Sequence, residues 1–295
     1  MHVVLAPLQL LPATVAGVLY ALRVHALRRT PRSVPGVRQA SFYSGLVLIV
    51  ATLTMTGRIS DELFAAHMAE HLLIADVGAL LLVLGLTGPV LAPVLRIKAF
   101  DRLRILAHPA VAFPLWAIDL YLWHDPTLAE AAVRHSGVHA LQHTCFVLFG
   151  ANMWMALLGP LPKPAWFGNL ARLVYVIAVR LTGAVLGNVF VFGGHVFYGF
   201  YAAGERAHGI SAGADQNAAG AIMMIEGSLL TIGLFAWLFA RAAREGEERQ
   251  QLLDLAQARG VELSETRAAR AVAAGRGDDL RRRIVQRDTT PARSG

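Results

Sequence analysis

Histidines spaced four residues apart occur twice in the sequence, and each pair stands at the start of an apolar stretch. His67 and His71 lead into the run LLIADVGALLLVLG, and His139 and His143 open a second apolar segment. On an α-helix, residues i and i+4 lie about 40° apart around the axis, so each pair shares one helix face. Imidazole is a good ligand for copper, zinc and iron, so this spacing indicates a metal site.

The elements that position these histidines are predicted to be membrane helices. Of the 295 residues, 55% are hydrophobic and 16% are charged, and the mean hydropathy is +0.49. Soluble domains carry roughly a quarter charged residues, so the chain is too apolar for that class. We expect an all-α, polytopic helical bundle with seven transmembrane helices, at Val3–Leu22, Ser41–Thr56, His67–Gly88, Leu106–His124, His139–Gly159, Leu173–His195 and Asn217–Ala240.

The distribution of basic residues predicts the orientation of this bundle. Arginine and lysine concentrate in the loops after the first, third and fifth segments and in the tail after the seventh. By the positive-inside rule, the N-terminus is outside and the C-terminus is cytoplasmic. The same rule accounts for the net charge of +7 without a nucleic-acid partner. We expect a transmembrane domain over residues 1–240 and a cytoplasmic tail, polar and helical or disordered, over residues 241–295.

This orientation brings the candidate ligands to one level, just beneath the outer surface. His124 ends the fourth helix, His195 ends the sixth, and Asp215 begins the seventh on the same side as the two histidine pairs. A carboxylate or amide, from Asp215 or Gln216, can add an oxygen ligand or orient an imidazole. We therefore predict a metal site formed by His67, His71, His124, His139, His143 and Asp215.

Auxiliary candidates surround this predicted set. Met223 lies on nearly the same helical face as Gln216, and a thioether favours Cu(I). Glu70 and Gln142 each precede the second histidine of a pair, where they can accept its free ring N–H. A single interfacial histidine is more often an amphipathic anchor, and a buried methionine usually packs, so His195 and Met223 are weaker candidates than the pairs.

Charged residues also occur inside the predicted spans, at Asp76, Asp119, Arg180 and Glu226. An unpaired charge at this depth is costly, so some of the carboxylates should pair with Arg180 or be protonated. A structural ion pair and a proton or ion path both fit the pattern. Asp76 lies nine residues beyond His67, on the opposite helical face, which places it outside the ligand set.

Several of these stretches resemble, in order, the CtaG-type family of seven-span cytochrome c oxidase assembly factors. The motifs are H-M-x-x-H followed by L-L-V-L-G, then L-W-H-x-P, H-A-x-x-H and D-Q, and the similarity extends from about Tyr20 to about Leu238. Two departures are visible. Glu70 and Gln142 appear exchanged relative to the family pattern, and Glu226 stands where an apolar or small residue is expected.

The resemblance implies a multi-pass protein of the bacterial plasma membrane that is associated with copper delivery to haem-copper oxidases. It would not be an enzyme. It would bind or deliver copper, with Cu(I) favoured, through a partly exposed histidine cluster supported by Asp215. Its partners would be cytochrome c oxidase subunits or copper chaperones.

Two alternative functions remain open from the sequence. The first is a membrane cytochrome whose histidines ligate haem iron, although ligands crowded at one face suit a compact metal cluster better than separated haems. The second is a copper or proton-coupled permease that uses the four intramembrane charges as a path through the bundle.

Overall fold

The computed structural model describes residues 6–55, 57–97, 103–273 and 275–287, and this part of the chain is helical, with no strand. In chain order the helices are α1 (Ala6–Leu27), α2 (Gly36–Met55), α3 (Gly57–Glu62), α4 (Phe64–Gly85), α5 (Gly88–Leu95), α6 (Leu103–Leu106), α7 (Pro109–Trp123), α8 (Pro126–Arg134), α9 (Ser136–Leu157), α10 (Asn169–Phe192), α11 (Ala202–Ala207), α12 (Ala212–Ala258), α13 (Glu265–Ala273) and α14 (Gly277–Arg287). The all-α prediction is confirmed. The predicted segment ends Val3 and Thr56 lie outside the described residues.

Five of these helices are long and apolar enough to cross a membrane: α1 from Leu10 onward, α2, α4, α10 and α12. The fourth predicted span corresponds to α7, which is apolar but has only 15 residues. The fifth corresponds to α9, which has 22 residues but is not among the five. The chain therefore has the character of a multi-helix membrane protein, and the count of seven spans and the orientation of the termini stay predictions.

Helix α4 lies between α2 on one side and α9 on the other, and α9 in turn packs against α7. These contacts are close because glycines stand at the crossing points. A Cβ atom on Gly150 of α9 would overlap the carbonyl oxygen of Ala75, and one on Gly45 of α2 would lie 2.9 Å from the carbonyl oxygen of Gly78. Small residues at membrane helix crossings allow backbones to approach in this way.

Within α4, the segment Leu73–Gly78 is π-helical. A π-helical turn accommodates one extra residue and often occurs at a functional site. It lies directly after His71 and contains Asp76, whose carbonyl oxygen accepts a hydrogen bond from the indole Nε1 of Trp154 at 3.0 Å. Trp154 is almost fully buried, so this bond fixes α9 against the irregular turn of α4.

The chain divides into two compact units, and the second covers Ile232–Gly295. In this unit, the end of α12 and helices α13 and α14 enclose a small apolar core of Leu252, Ala256, Val272, Leu280 and Ile284. The described residues of the predicted tail are thus largely helical, where the sequence also allowed disorder.

We expect Gly150→Leu to destabilise the protein by about 1–3 kcal/mol, because the new side chain has to push α9 away from the backbone of α4. The control is Gly183→Leu on α10, where a Cβ atom would meet nothing within 4 Å. Thermal unfolding of the detergent-purified variants measures the difference. Equal unfolding temperatures for the two variants would contradict the close approach of α4 and α9.

Candidate metal centre

Helices α4 and α9 each present two histidines on successive turns, as their spacing predicts. The ring centroids are 4.1 Å apart for His67 and His71, and 4.1 Å apart for His139 and His143. The rings of His67 and His139 are stacked across the helix interface at 5.4 Å. Those of His71 and His143 meet edge to face, also at 5.4 Å. The two pairs therefore form one cluster of four imidazoles.

Three of these imidazoles could share a single metal ion. His67, His71 and His139 each offer a ring nitrogen, and these nitrogens all lie within 4.8 Å of one another. Three nitrogens bound to one ion at about 2.0–2.1 Å lie roughly 3.3–3.6 Å from one another. The ring nitrogens would therefore have to approach each other by up to about 1.5 Å, which rotation of the side chains supplies.

The hydrogen bonding of the cluster is incomplete, as expected of a ligand set. Nδ1 of His67 and both ring nitrogens of His71 and of His143 are buried, with no hydrogen-bond partner among the described residues. Buried polar atoms are almost always paired, so an unpaired group indicates a ligand, a water or an ion. His67 also makes a backbone hydrogen bond with Ser60. A backbone bond on one ring nitrogen is typical of a histidine that ligates through the other.

His124 approaches the cluster from the end of α7 in a comparable arrangement. Its Nδ1 is 2.6 Å from the carbonyl oxygen of Leu120, while its buried Nε2 has no partner in the described structure. A bond of this kind fixes the ring and leaves Nε2 with a lone pair for a ligand. His124 lines the same small space as His67, His71 and Gln142, which has a volume of about 10 Å³. That is roughly the space of one water molecule.

Asp215 is close to this site in the fold but is occupied by backbone groups. Its two carboxylate oxygens accept hydrogen bonds from the amides of Phe64 and Ala65, at 2.7 and 3.0 Å. These are the first amides of α4, which have no partner within the helix, and a negative charge is favourable at this end. The carboxylate thus holds the start of the helix that carries His67, and the structure gives it a capping role.

Gln216 binds backbone groups at the end of α10 and in the segment that follows it. Its Oε1 accepts from the amide of Phe197 at 2.8 Å, and its Nε2 donates to the carbonyls of Phe190 and His195 at 3.1 and 2.9 Å. The side chain of His195 is exposed and does not line the space between the imidazoles. Gln216 and His195 therefore shape the surroundings of the cluster, and any ligation by them stays a prediction.

Glu70 and Gln142 are the two residues predicted to orient imidazoles, and Glu70 contacts a histidine of the other pair, on α9. Its Oε1 lies 3.7 Å from Nε2 of His143 on α9, and both side chains are buried. Gln142 is also buried, and its Oε1 has no hydrogen-bond partner in the described part of the chain. Both groups can therefore accept from a ring N–H, with Glu70 serving the neighbouring helix.

The sequence predicted a partly exposed site, but the imidazoles of His67, His71 and His143 are buried. The segment between α10 and α12 folds over them, and its aromatic residues Tyr198 and Tyr201 line the space. The hydroxyl of Tyr198 donates to the carbonyl of His124 at 2.8 Å. Burial raises the pKa of both phenols, so each remains a neutral hydroxyl. Nothing in the periodicity of this segment indicated its position over the cluster.

A salt-bridge cluster at the rim holds the same segment in place. Nε2 of His208, which follows α11, lies 2.8 Å from Oε2 of Glu62, and Nε of Arg58 lies 3.2 Å from Oε1. These hydrogen bonds, first from His208 and then from Arg58, lower the pKa of Glu62. The backbone of Glu62 also contacts Gly204, so α11 lies directly on α3.

The intramembrane charges form a separate group below the histidines. Arg180 binds Asp76 through two hydrogen bonds of 2.6 and 3.2 Å, and its Nη1 lies 3.8 Å from Oε2 of Glu226. The guanidinium also stacks over the ring of Trp154, 5.3 Å from its centroid. The prediction that carboxylates pair with Arg180 is confirmed. Asp119 lies apart from this group, buried beside Trp123.

A second cavity, of about 50 Å³, lies between the histidines and these charges. Its lining includes His71, His124, Asp76, Asp119 and Met223. Such a volume has room for a few water molecules. Met223 also packs in an apolar core with Phe64, Met68 and Phe190, and any ligation by it stays a prediction.

Comparison with known proteins bears on what this arrangement is for. The family model described as cytochrome c oxidase caa3 assembly factor matches residues 18–245. This chain belongs to that family. The match includes every residue of the candidate site, and it ends within α12, so nearly all of the tail, residues 246–295, lies beyond the matched part.

Relatives of this caa3 assembly factor family member occur in mycobacteria. The uncharacterized protein ML1998 of Mycobacterium leprae (strain TN) is 26% identical in an alignment of 253 residues that covers 79% of this chain and 38% of that protein. The uncharacterized protein Mb0105 of Mycobacterium bovis is 28% identical in an alignment of 187 residues that covers 57% of this chain and 28% of that protein. The chain thus spans less than half the length of these relatives. No solved structure matches it.

We expect Asp215→Ala to destabilise α4 by about 1–3 kcal/mol, because two backbone amides lose their acceptors. Asp215→Asn should cost less, since the amide oxygen retains one acceptor. Hydrogen exchange at Phe64 and Ala65 measures the loss directly. Unchanged exchange at these amides in Asp215→Ala would show that the carboxylate does not cap the helix.

We expect Arg180→Met to destabilise the protein by about 3–5 kcal/mol, because it leaves buried carboxylates without a counter-charge. The double variant Asp76→Asn/Arg180→Met should recover part of this loss. Denaturant unfolding of both variants and of Asp76→Asn completes a double-mutant cycle. Additive effects of the two substitutions would contradict a direct interaction between these side chains.

Proposed function

We propose that this protein is a membrane assembly factor for a haem-copper cytochrome c oxidase, and that copper is the cargo it holds at the histidine cluster. On this proposal it is a non-enzymatic, multi-pass protein of a bacterial plasma membrane. The oxidase subunits or copper chaperones are its partners. The observation that carries the proposal is the convergence of three histidine nitrogens within 4.8 Å.

The chemistry of the donor set favours Cu(I). Two or three neutral imidazoles satisfy this ion, and soft thioether ligands add to its binding. Met223 lies on the wall of the adjoining cavity, together with His71 and His124. An ion passing from the cluster into this cavity would exchange an imidazole for a thioether.

Copper exchange requires a way through the aromatic cover. The covering segment is held by Gln216 and by the salt bridge between Glu62 and His208, whose side chains are partly exposed. Because surface ion pairs contribute little stability, the rim bond can open at small cost. Contact with a partner at this rim would then give the ligands access to the outside.

The haem alternative is less compatible with the spacing of the rings. Axial histidines flank a porphyrin from opposite sides, whereas here the rings within each pair lie 4.1 Å apart. The rings of His67, His71 and His124 line a space of only about 10 Å³, which is too small for a porphyrin. A Soret band in the purified protein would restore the haem alternative.

The permease alternative is supported by the cavity that extends from His71 toward Asp76 and Asp119. However, the bidentate ion pair between Arg180 and Asp76 closes this route at its lower end. Copper uptake into sealed vesicles, abolished by Asp119→Ala, would favour transport over the assembly role.

The decisive experiment measures copper bound by the full chain in detergent after anaerobic loading with Cu(I). We expect near-stoichiometric copper in the unmodified protein and at least roughly tenfold less in His67→Ala/His71→Ala/His143→Ala, because each lost ligand typically costs affinity on that scale. The control is His25→Ala/His135→Ala, which removes two exposed histidines and should bind copper normally.

The assembly role needs a second readout in cells. A strain that carries the cluster variant should accumulate oxidase with less copper per haem than a strain that carries the control variant. Equal copper binding by the two purified variants would exclude the cluster as the site. Loss of copper binding with an unaffected oxidase in the variant strain would instead separate binding from assembly.

A further inference from the structure

Four arginines of the second unit surround one hollow on its surface. Arg267 and Arg270 lie one turn apart on α13, Arg276 lies in the turn that follows, and Arg283 lies on α14. The hollow has a volume of about 410 Å³. Residues from three successive segments thus direct positive charge toward the same space.

A glycine turn and two backbone hydrogen bonds fix the segment that carries these arginines. α13 ends in a turn in which Gly275 has a φ of +64°, and the amides of Gly275 and Arg276 donate to the carbonyls of Val272 and Ala271, both at 2.8 Å. This is the hydrogen-bond pattern of a glycine-terminated helix, and it fixes the position of Arg276 just after α13. Beneath it, Val272 packs into the apolar core of this unit.

The positive charge of the hollow exceeds the negative charge of the described residues that line it. Asp279 is the only acidic residue among these described lining residues, and its carboxylate already binds Arg282 on the same helix. The side chains of Arg267, Arg276 and Arg283 form no ion pair within the described residues. Arg270 donates only to the carbonyl of Thr266, at 3.2 Å. Like charges held together repel, so an anion in the hollow would be strongly favoured.

We propose that this hollow binds a phosphate-bearing anion. A guanidinium binds phosphate through paired hydrogen bonds, and a phosphate group has enough oxygens for several guanidinium groups at once. The group can belong to an acidic phospholipid, as for arginine clusters that follow a membrane helix, or to a soluble phosphate compound. The site lies beyond the residues that the family model matches, and it is independent of the proposed copper function.

The test uses the full chain and two kinds of probe. The soluble arm titrates pyrophosphate into detergent-purified protein and measures binding by calorimetry. The lipid arm places the protein in nanodiscs of phosphatidylcholine, with or without phosphatidylglycerol, and measures hydrogen exchange over residues 261–286. Binding should slow this exchange in the arm that supplies the correct anion.

The variant Arg267→Gln/Arg276→Gln/Arg283→Gln should weaken binding by roughly a hundredfold or more, because it removes three guanidinium groups that form charge-assisted hydrogen bonds with phosphate oxygens. The control Arg244→Gln/Arg249→Gln/Arg281→Gln removes the same charge outside the hollow and should bind nearly as well as the unmodified protein. Circular dichroism checks that both variants remain helical.

Either arm alone supports the proposal and identifies the source of the phosphate. Pyrophosphate binding indicates a soluble ligand, and protection only with phosphatidylglycerol indicates a lipid headgroup. The proposal is overturned if neither probe has an effect, or if the two variants lose binding equally, because the effect would then reflect net charge and not the hollow.

Discussion

The close approach of α4 and α9 is the contact on which the candidate site depends. Gly150 lies directly on the carbonyl of Ala75, about two turns beyond His143 on α9 and one turn beyond His71 on α4. Because both helices carry their histidines at i and i+4, this one close crossing places the histidine pair of α4 next to the histidine pair of α9. A larger side chain at the crossing would separate the pairs and leave two isolated sets of imidazoles.

Polar groups inside the apolar bundle differ in whether they have hydrogen-bond partners, and this difference distinguishes the supporting residues from the candidate site. Arg180 is paired with Asp76, and Asp215 and Gln216 bind backbone groups at nearly every oxygen and nitrogen they have. In a membrane there is little water to replace a missing partner, so such pairing is expected. The imidazoles are an exception, because nitrogens on several of the rings have no hydrogen-bond partner among the described residues. A shared cation would satisfy several of these nitrogens together, and no single hydrogen bond does so.

Sequence periodicity predicted the helices, the shared faces of the histidine pairs and the pairing of a carboxylate with Arg180. These features follow from spacing along one helix or from the cost of an isolated charge, so one sequence is enough to infer them. The aromatic cover over the cluster was missed, because its position depends on contacts between residues far apart in the chain. Likewise, the rotation of one helix against another decides that Glu70 faces His143 of the opposite pair.

The Asp-Gln motif at the start of α12 shows how a motif can combine two physical roles. From the sequence, Asp215 belonged with the ligands, because it lies at the same level as the histidines. In the structure its carboxylate binds the amides that begin α4, three residues before His67. A carboxylate in this place sets the depth and rotation of the first ligand helix, whereas a ligand would act on the ion itself. The two roles differ in what they require: capping needs oxygens directed at two backbone amides, and ligation needs a free lone pair directed at the imidazoles. Because both oxygens already accept backbone hydrogen bonds, the geometry favours a positioning role for Asp215 and leaves the histidines as the principal candidates for metal ligation.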